Sequence, residues 1–326
     1  MIEQQTLGAN GPRIGRLGYG AMVLEGFYGP TDEEHAIETI RCALDAGMTM
    51  IDSSDAYGNG HNEQLIARAT KDRNGAFVAT KFGIVFDPAE GGTELSTGWN
   101  LSLKINGRPD YAKRSLQASL SRLGVEALDL WYLHYPDPAV PIEETVGAMA
   151  DAVKAGKVRH IGLSNITPEQ LRRAHAVHPI TAVQFEYSLW RREPETHLLP
   201  LMRELGIAMV PWAPLGTGFL TGTVNALHPK DFRQKIPRFS DSNLAVNTER
   251  FAPLMELAKE FGITPAQLAL AWLLHQGDDI FPIPGTRSPQ RILENAQASD
   301  IRFSPDQLAR IDRAARPGTA LGGTLV

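Results

Sequence analysis

Residues 128–165 read LDLWYLHYPDPAVPIEETVGAMADAVKAGKVRHIGLSN. A short apolar run at 128–133 stops at His134. Apolar residues then recur every three to four positions over 142–155. A second short apolar run, at 160–163, stops at Ser164 and Asn165. The first and last pieces have the length of buried strands, and the middle one has the period of an amphipathic helix. The stretch therefore reads as strand, helix, strand, with polar residues where each strand ends.

The same grammar extends in both directions. It gives candidate strands at 17–20, 48–52, 76–80, 128–133, 160–163, 182–184, 208–211 and 279–283. Helical periodicity lies between them at 32–46, 62–70, 111–123, 142–155, 168–177, 195–205 and 248–261. Thr31-Asp32-Glu33-Glu34 resembles a capped helix start, and Thr167-Pro168-Glu169 puts proline at the first helical position. Two further helices are predicted at 264–276 and 304–313, and a hairpin at 5–7 and 13–15 around the turn Ala9-Asn10-Gly11-Pro12. Eight alternations of strand and helix predict an α/β fold, a (β/α)8 TIM barrel, as a single domain over 1–326 with an N-terminal hairpin and two extra helices. A doubly wound open sheet would place a G-x-G-x-x-G turn early between strand and helix. Residues 17–22 supply only its first two glycines, and no helix starts there. The segments 83–109 and 215–247 are too long for ordinary connections. Both follow strands, so both are expected as structureless binding loops on the C-terminal face.

Composition narrows the function. The chain has 326 residues, a formal charge of −5 and no basic block, which argues against nucleic acid as the partner. No apolar run approaches the roughly 18 residues that cross a membrane, and 1–11 has no secretory pattern. A cytoplasmic setting is expected. Cys42 is the one cysteine, so neither an intrachain disulfide nor a multi-cysteine metal cage can form. No His-x-His or carboxylate cluster proposes a metal, and none is predicted. The oligomeric state is left open.

Function in a barrel sits where the strands end. Here those ends carry Asp52, followed by Ser53-Ser54-Asp55-Ala56-Tyr57, then Lys81, His134, Ser164 with Asn165, Gln184, Trp212, and Gly285-Thr286-Arg287-Ser288. Taken singly, Asp52 could be a helix cap, Lys81 could emerge into solvent and His134 could be a satisfied rim residue. Taken together they are parts for carbonyl chemistry. An ammonium kept charged by an aspartate should lower the pKa of a neighbouring tyrosine from about 10. Such a tyrosine can protonate an oxygen that is becoming an alkoxide, while a neutral histidine donates a hydrogen bond to the same oxygen. The set lacks a hydride source, so a cofactor is required.

These residues resemble the aldo-keto reductase superfamily over nearly the whole chain. The matching segments are Asp52-x4-Tyr57, Thr80-Lys81, Trp131-Tyr132-Leu133-His134 with Pro136-Asp137, and Ile161-Gly162-Leu163-Ser164-Asn165. They continue with Val183-Gln184-x-Glu186-Tyr187-Ser188 and Ile283-Pro284-Gly285-Thr286-x4-Arg291-x2-Glu294-Asn295. The long loops are similar to those of bacterial and plant branches. The resemblance implies Asp52, Tyr57, Lys81 and His134 as catalytic residues, with Tyr57 the general acid and NADP(H) the cofactor. It implies Ser164, Asn165 and Gln184 around the nicotinamide carboxamide, with Asp52 alongside. Trp212 stands where an aromatic, commonly tyrosine, stacks on the nicotinamide, so a hydroxyl contact should be lost. Ala213, Pro214, Leu215, Gly216, Gly218 and Leu220 resemble the loop that wraps the pyrophosphate. Gly20, Ala21 and Met22 would line the floor by the ribose. At the 2′-phosphate, Gly285 replaces a lysine often seen in the family, leaving Thr286, Arg287, Ser288 and Arg291. Two guanidiniums and two hydroxyls near a helix start suit a phosphate dianion, which favours NADPH. Glu294 and Asn295 then fit the adenine edge.

The substrate is expected to be a small-molecule aldehyde or ketone, against apolar walls from Tyr28, Trp99 and Trp190 beside His134, with Phe27 and Phe239 near. Other classes stay open at this level. A Schiff-base aldolase or lyase would use Lys81 as nucleophile. A redox-sensing subunit would bind NADPH with little turnover.

Overall fold

The computed structural model describes residues 2–29, 31–98, 101–224, 227 and 231–325. An antiparallel hairpin, β1 (Gln4–Thr6) and β2 (Arg13–Gly15), opens the chain. Its Leu7 and Ile14 join Met50, Phe77, Leu130, Val210 and Phe281 in one buried cluster, so the hairpin plugs one end of a barrel. The barrel strands are β3 (Tyr19–Gly20), β4 (Met50–Asp52), β5 (Phe77–Phe82), then β8 (Leu128–Leu133), β9 (Val158–Ser164), β10 (Ala182–Glu186) and β11 (Ala208–Trp212). They are parallel, in the sheet order β11-β10-β9-β8-β5-β4-β3. Between β5 and β8 lies a second hairpin, β6 (Thr93–Ser96) and β7 (Ser102–Ile105).

The helices α1 (Glu33–Asp45), α2 (His61–Thr70), α3 (Pro109–Leu123), α4 (Ile142–Lys154), α5 (Pro168–Val177) and α6 (Pro194–Glu204) alternate with the strands. The later helices are α7 (Asp241–Glu260), α8 (Pro265–Leu274), α9 (Pro289–Gln297) and α10 (Pro305–Ala314). Their starts are chemically marked. Asp32 accepts from the His35 amide, and Thr167, Thr264 and Ser304 form capping boxes with the glutamine three residues on. The buried stripe of each helix meets the outward residues of the sheet in the larger apolar cluster.

The (β/α)8 barrel expected from the sequence is the fold found, with three local differences. The eighth strand, expected at 279–283, closes the barrel without forming a full ladder. Phe281 and Ile283 donate to Met209 and Pro211, and Met209 donates to Asp279. On the other side, Gly18 and Gly20 donate to the carbonyls of Pro282 and Pro284. The return bonds would need amide hydrogens at these two prolines, which have none. Segment 83–109 is not structureless. Its hairpin turns Leu95, Leu103 and Ile105 toward one apolar group, but the alternation spans only the four residues 102–105 and is too short to stand out in the sequence. Helix α7 begins at Asp241 rather than at Thr248. Asn247 occupies its buried face, bonded to Arg238 and Leu321, and interrupts the apolar period there.

Inside the barrel large and small residues interlock. A Cβ on Gly162 would lie 2.4 Å from the Tyr132 ring and 2.8 Å from the Ala182 carbonyl, neither of which can retreat. Gly147, on α4, has nothing within 4 Å of a Cβ. Gly162→Ala should therefore destabilise the protein by about 1–3 kcal/mol through overpacking. Gly147→Ala should stabilise it by roughly 0.5–1 kcal/mol through helix propensity. Urea midpoints of the two variants check both signs.

Candidate active site

Side chains point alternately in and out along each barrel strand. Met50, Ala79, Tyr132, Ala182 and Val210 face inward. Two residues further along the same faces stand Asp52, Lys81, His134, Gln184 and Trp212, with Ser164 two beyond Gly162. The pleat therefore delivers all six to one rim.

Lys81 lies at the centre and is wholly buried. Each of its three N–H groups has an acceptor: Asp52 Oδ1 at 2.5 Å, the Ser53 carbonyl at 2.7 Å and the Tyr57 hydroxyl at 3.4 Å. The other Asp52 oxygen accepts from Gln184 Nε2 at 2.7 Å. Burial draws the Lys81 pKa down and pushes that of Asp52 up, while their mutual attraction opposes both changes. The turn that carries Tyr57 hangs on β5. Ser53 donates to the Ala79 carbonyl, Asp55 to that of Lys81, and Tyr57 folds back to Ser54.

The expectation that Lys81 lowers the pKa of Tyr57 is not met. Burial holds the Tyr57 pKa well above its usual value, and the carboxylates of Asp52 and Asp55 push the same way. The ammonium is already balanced by Asp52. The phenol thus keeps its proton at neutral pH. His134 stands edge-on to Tyr57, with ring centroids 6.0 Å apart, and stacks on Tyr135 at 5.2 Å. Burial, and then the charge of Lys81, hold the His134 pKa well below 6.5, so its ring is neutral.

Ser164 is buried at the end of β9, and Asn165 adopts a left-handed backbone with φ of 54°. Asn165 Nδ2 donates to Ser164 Oγ and to the His134 carbonyl, both at 3.1 Å. Its Oδ1 accepts from Trp212 Nε1 at 3.2 Å. The indole therefore brings a polar contact of its own, which the comparison with tyrosine did not anticipate. After β11, Ala213, Gly216, Thr217 and Gly218 all have positive φ, coiling the stretch around Pro214, Leu215 and Leu220 into a tight loop. A Cβ on Gly216 would strike Trp190 at 2.6 Å. Trp190, expected as a pocket wall, is 4% exposed and stacks on Phe219 at 4.2 Å. It props this loop from beneath. Tyr28 packs against Phe232 at 5.0 Å and under the Arg233 guanidinium. Trp99 lies outside the described residues.

Across the rim, Gly20 ends β3 and Ala21 and Met22 begin the following 3-10 turn. A Cβ on Gly285 would meet the Gly20 carbonyl and Val23, each at 2.7 Å, so no lysine fits at that position. Ser288 caps α9, and its amide donates to Thr286 Oγ1. Arg287 turns away and donates to the Tyr28 carbonyl at 2.7 Å. The Arg291 side chain has no protein partner among the described residues and is exposed. Glu294 accepts from Thr264 at 2.6 Å, which ties α9 to α8, and Asn295 is buried beside it. The sequence reading missed Tyr135 and an apolar group beside Tyr57 formed by Ala56, Ile84, Leu95, Leu103 and Leu325. Only tertiary packing joins these, so no local pattern marks them. Among the described residues no cluster of side chains is suited to hold a metal, and no helix is long and apolar enough to cross a membrane.

A model of the Aldo/keto reductase family matches residues 16–316. The chain belongs to the aldo/keto reductase family. It is 42% identical to "Probable aldo-keto reductase 1" of Glycine max over 327 aligned positions, covering 99% of this chain and 91% of that protein. A solved glycerol dehydrogenase of Gluconobacter oxydans superposes with a TM-score of 0.83 at 26% identity, covering 99% and 98% of the two chains. An aldo/keto reductase of Klebsiella pneumoniae, solved with NADP and acetate, gives 0.74 at 24% identity over 100% and 99%. Thus the alternating barrel described above is an aldo/keto reductase fold.

The buried neutral His134 has a consequence for stability. Its folded pKa lies below that of the unfolded chain, so the unfolded state binds the proton more readily and acidification favours unfolding. The stabilisation present above about pH 6.5 should fall away as pH drops below it, by up to about 1.4 kcal/mol per pH unit for this single group. Urea unfolding from pH 7 to pH 5 should show a shallower loss in His134→Gln than in the parent. Parallel curves would mean that His134 already carries its proton in the folded protein.

Proposed function

We propose that the chain is an NADP(H)-dependent oxidoreductase that reduces aldehydes and ketones to alcohols, with Tyr57 as proton donor. The observation that carries this reading is the three-way engagement of the Lys81 ammonium. It fixes the Tyr57 hydroxyl opposite the neutral His134 ring, at a rim that also holds a left-handed glycine loop.

The residues fit the cofactor. The loop 213–220 offers closely spaced backbone amides of the kind that cradle phosphate. Ser288 and Arg291 at the start of α9 suit a 2′-phosphate, since a helix N-terminus favours an anion. Arg291 is the exposed guanidinium at that helix start, while Arg287 places one N–H on the Tyr28 carbonyl. Asn165 and Gln184 present amides for a carboxamide, and Trp212 offers its ring for stacking. The bound nicotinamide would supply the hydride. As the C–H bond forms at the carbonyl carbon, the π pair moves to oxygen, which takes the Tyr57 proton. His134 lends a hydrogen bond to that oxygen. Lys81 stabilises the phenolate left behind until solvent returns a proton. The apolar group beside Tyr57 and the Tyr28 ring suit a carbonyl compound of moderate size. The relative named glycerol dehydrogenase is consistent with alcohol and carbonyl interconversion. A Schiff-base mechanism fits less well, because Lys81 has no exposed surface and no N–H left free.

Fluorescence titration with NADPH and NADH, followed by turnover on a carbonyl panel, tests the reading. Tight NADPH binding without reduction of any panel member would favour a regulatory subunit. Tyr57→Phe should lower kcat about 10²–10⁴-fold with NADPH affinity nearly unchanged. A variant with parental turnover would remove Tyr57 from the reaction. Arg291→Ala should weaken NADPH about tenfold or more through the lost charge-assisted bond, with little effect on NADH. Equal weakening of both would displace the 2′-phosphate from this helix end.

A further inference from the structure

We propose that Ser54 sets the tautomer of His134 and so makes its ring a hydrogen-bond donor toward the substrate oxygen. The proposal rests on the carbonyl-reducing role assigned above. A neutral imidazole carries one proton on either nitrogen, and only the form protonated on the nitrogen facing the substrate can help to bind a nascent alkoxide. His134 is 8% exposed, and its ring nitrogens have one protein partner among the described residues, Ser54 Oγ, at 3.2 Å from Nδ1. Nε2 has none, which leaves it for the substrate.

The direction of this bond follows from what surrounds Ser54. Its oxygen accepts from the Ala56 amide at 3.1 Å, a bond whose polarity cannot reverse. Its single hydroxyl proton can reach His134 Nδ1 at 3.2 Å, Asp55 Oδ1 at 3.4 Å or the Lys81 carbonyl at 3.5 Å. The imidazole is the shortest of the three. The Lys81 carbonyl already receives the Asp55 amide, and Asp55 is joined to Ser54 at the upper limit of hydrogen-bond length. A hydroxyl that donates to Nδ1 leaves the imidazole proton on Nε2. The six-residue turn from Asp52 to Tyr57 then supplies the partner of Lys81, the proton donor and the group that orients the second donor.

The test is nuclear magnetic resonance of the cofactor-free protein labelled with 15N-histidine. His134 is assigned by its loss in His134→Gln. Long-range 1H–15N patterns distinguish the two neutral tautomers directly. The parent should show protonated Nε2 and bare Nδ1, and Ser54→Ala should show a mixed population. Ser54→Ala should also lower kcat about 10–100-fold, the scale of a weakened oxyanion donor, with KM for NADPH unchanged. Ser54→Thr, which keeps a hydroxyl, should recover most of the loss. Protonated Nδ1 in the parent, or an unaltered Nε2–H form in Ser54→Ala, would overturn the proposal. Should Ser54→Ala not fold, protonated Nδ1 in the parent still overturns the proposal, and Ser54→Gly takes its place as the variant without a hydroxyl. Because these spectra need no turnover, a protein that reduces no carbonyl would refute the assigned reaction separately from the control of the tautomer.

Discussion

A single buried ammonium organises the rim. Lys81 has three donors and no exposed surface, so each donor needs an acceptor or the burial of the charge becomes prohibitive. The acceptors it finds come from β4, from the backbone that follows β4, and from the turn beyond. Satisfying one cation therefore fixes three points on a chain segment that would otherwise be a free loop. The carboxylate that balances the charge is held on its far side by Gln184, from across the barrel. The network is closed, and Tyr57 occupies the one vertex that faces outward. Burial keeps its proton in place. The arrangement resembles a loaded donor more than a pre-ionised base: in the proposed reaction the proton would leave only when charge develops on an oxygen nearby.

The barrel is what lets such a network form. Strands carry a period of two, and the register steps by one inward position where Asp52 lies opposite Ala79, Lys81 opposite Tyr132 and Gln184 opposite Val210, a stagger that strand tilt takes up. A layer of apolar side chains is followed by a layer of polar ones, and the change of character occurs at one level around the ring. Gly162 beneath Tyr132 shows how tightly the lower layer is filled. A rigid floor of this kind limits the freedom of the groups above it, which have few rotamers left to explore.

Much of this was legible in the residues themselves. The strand ends named Asp52, Lys81, His134, Ser164, Gln184 and Trp212 because burial demands apolar residues until the strand leaves the core, and chemistry begins where they stop. What escaped was whatever depends on three dimensions. The pKa of Tyr57 is set by how deeply it is buried and by carboxylates placed around it, and the expectation built on a neighbouring ammonium alone had the wrong sign. Trp190 looked like a loop aromatic and is a prop, since only the fold puts Phe219 and Gly216 on top of it. The hairpin β6–β7 packs one face inward, yet its alternation runs over only four residues, 102–105, too few to read as a strand. Arg287 matched a phosphate-binding pattern, and only the fold shows that one of its N–H groups also holds the Tyr28 carbonyl.

The closure of the barrel at Pro282 and Pro284 has a mechanical meaning. Along the line where β3 meets the closing segment, the amide hydrogens all come from one side. That line is a seam stitched with half the usual thread. The floor residues Gly20 to Met22 lie on one bank and Gly285 to Ser288 on the other. A long ligand laid across both banks would act as a suture, and the free energy of its binding would appear as added resistance of the whole ring to opening.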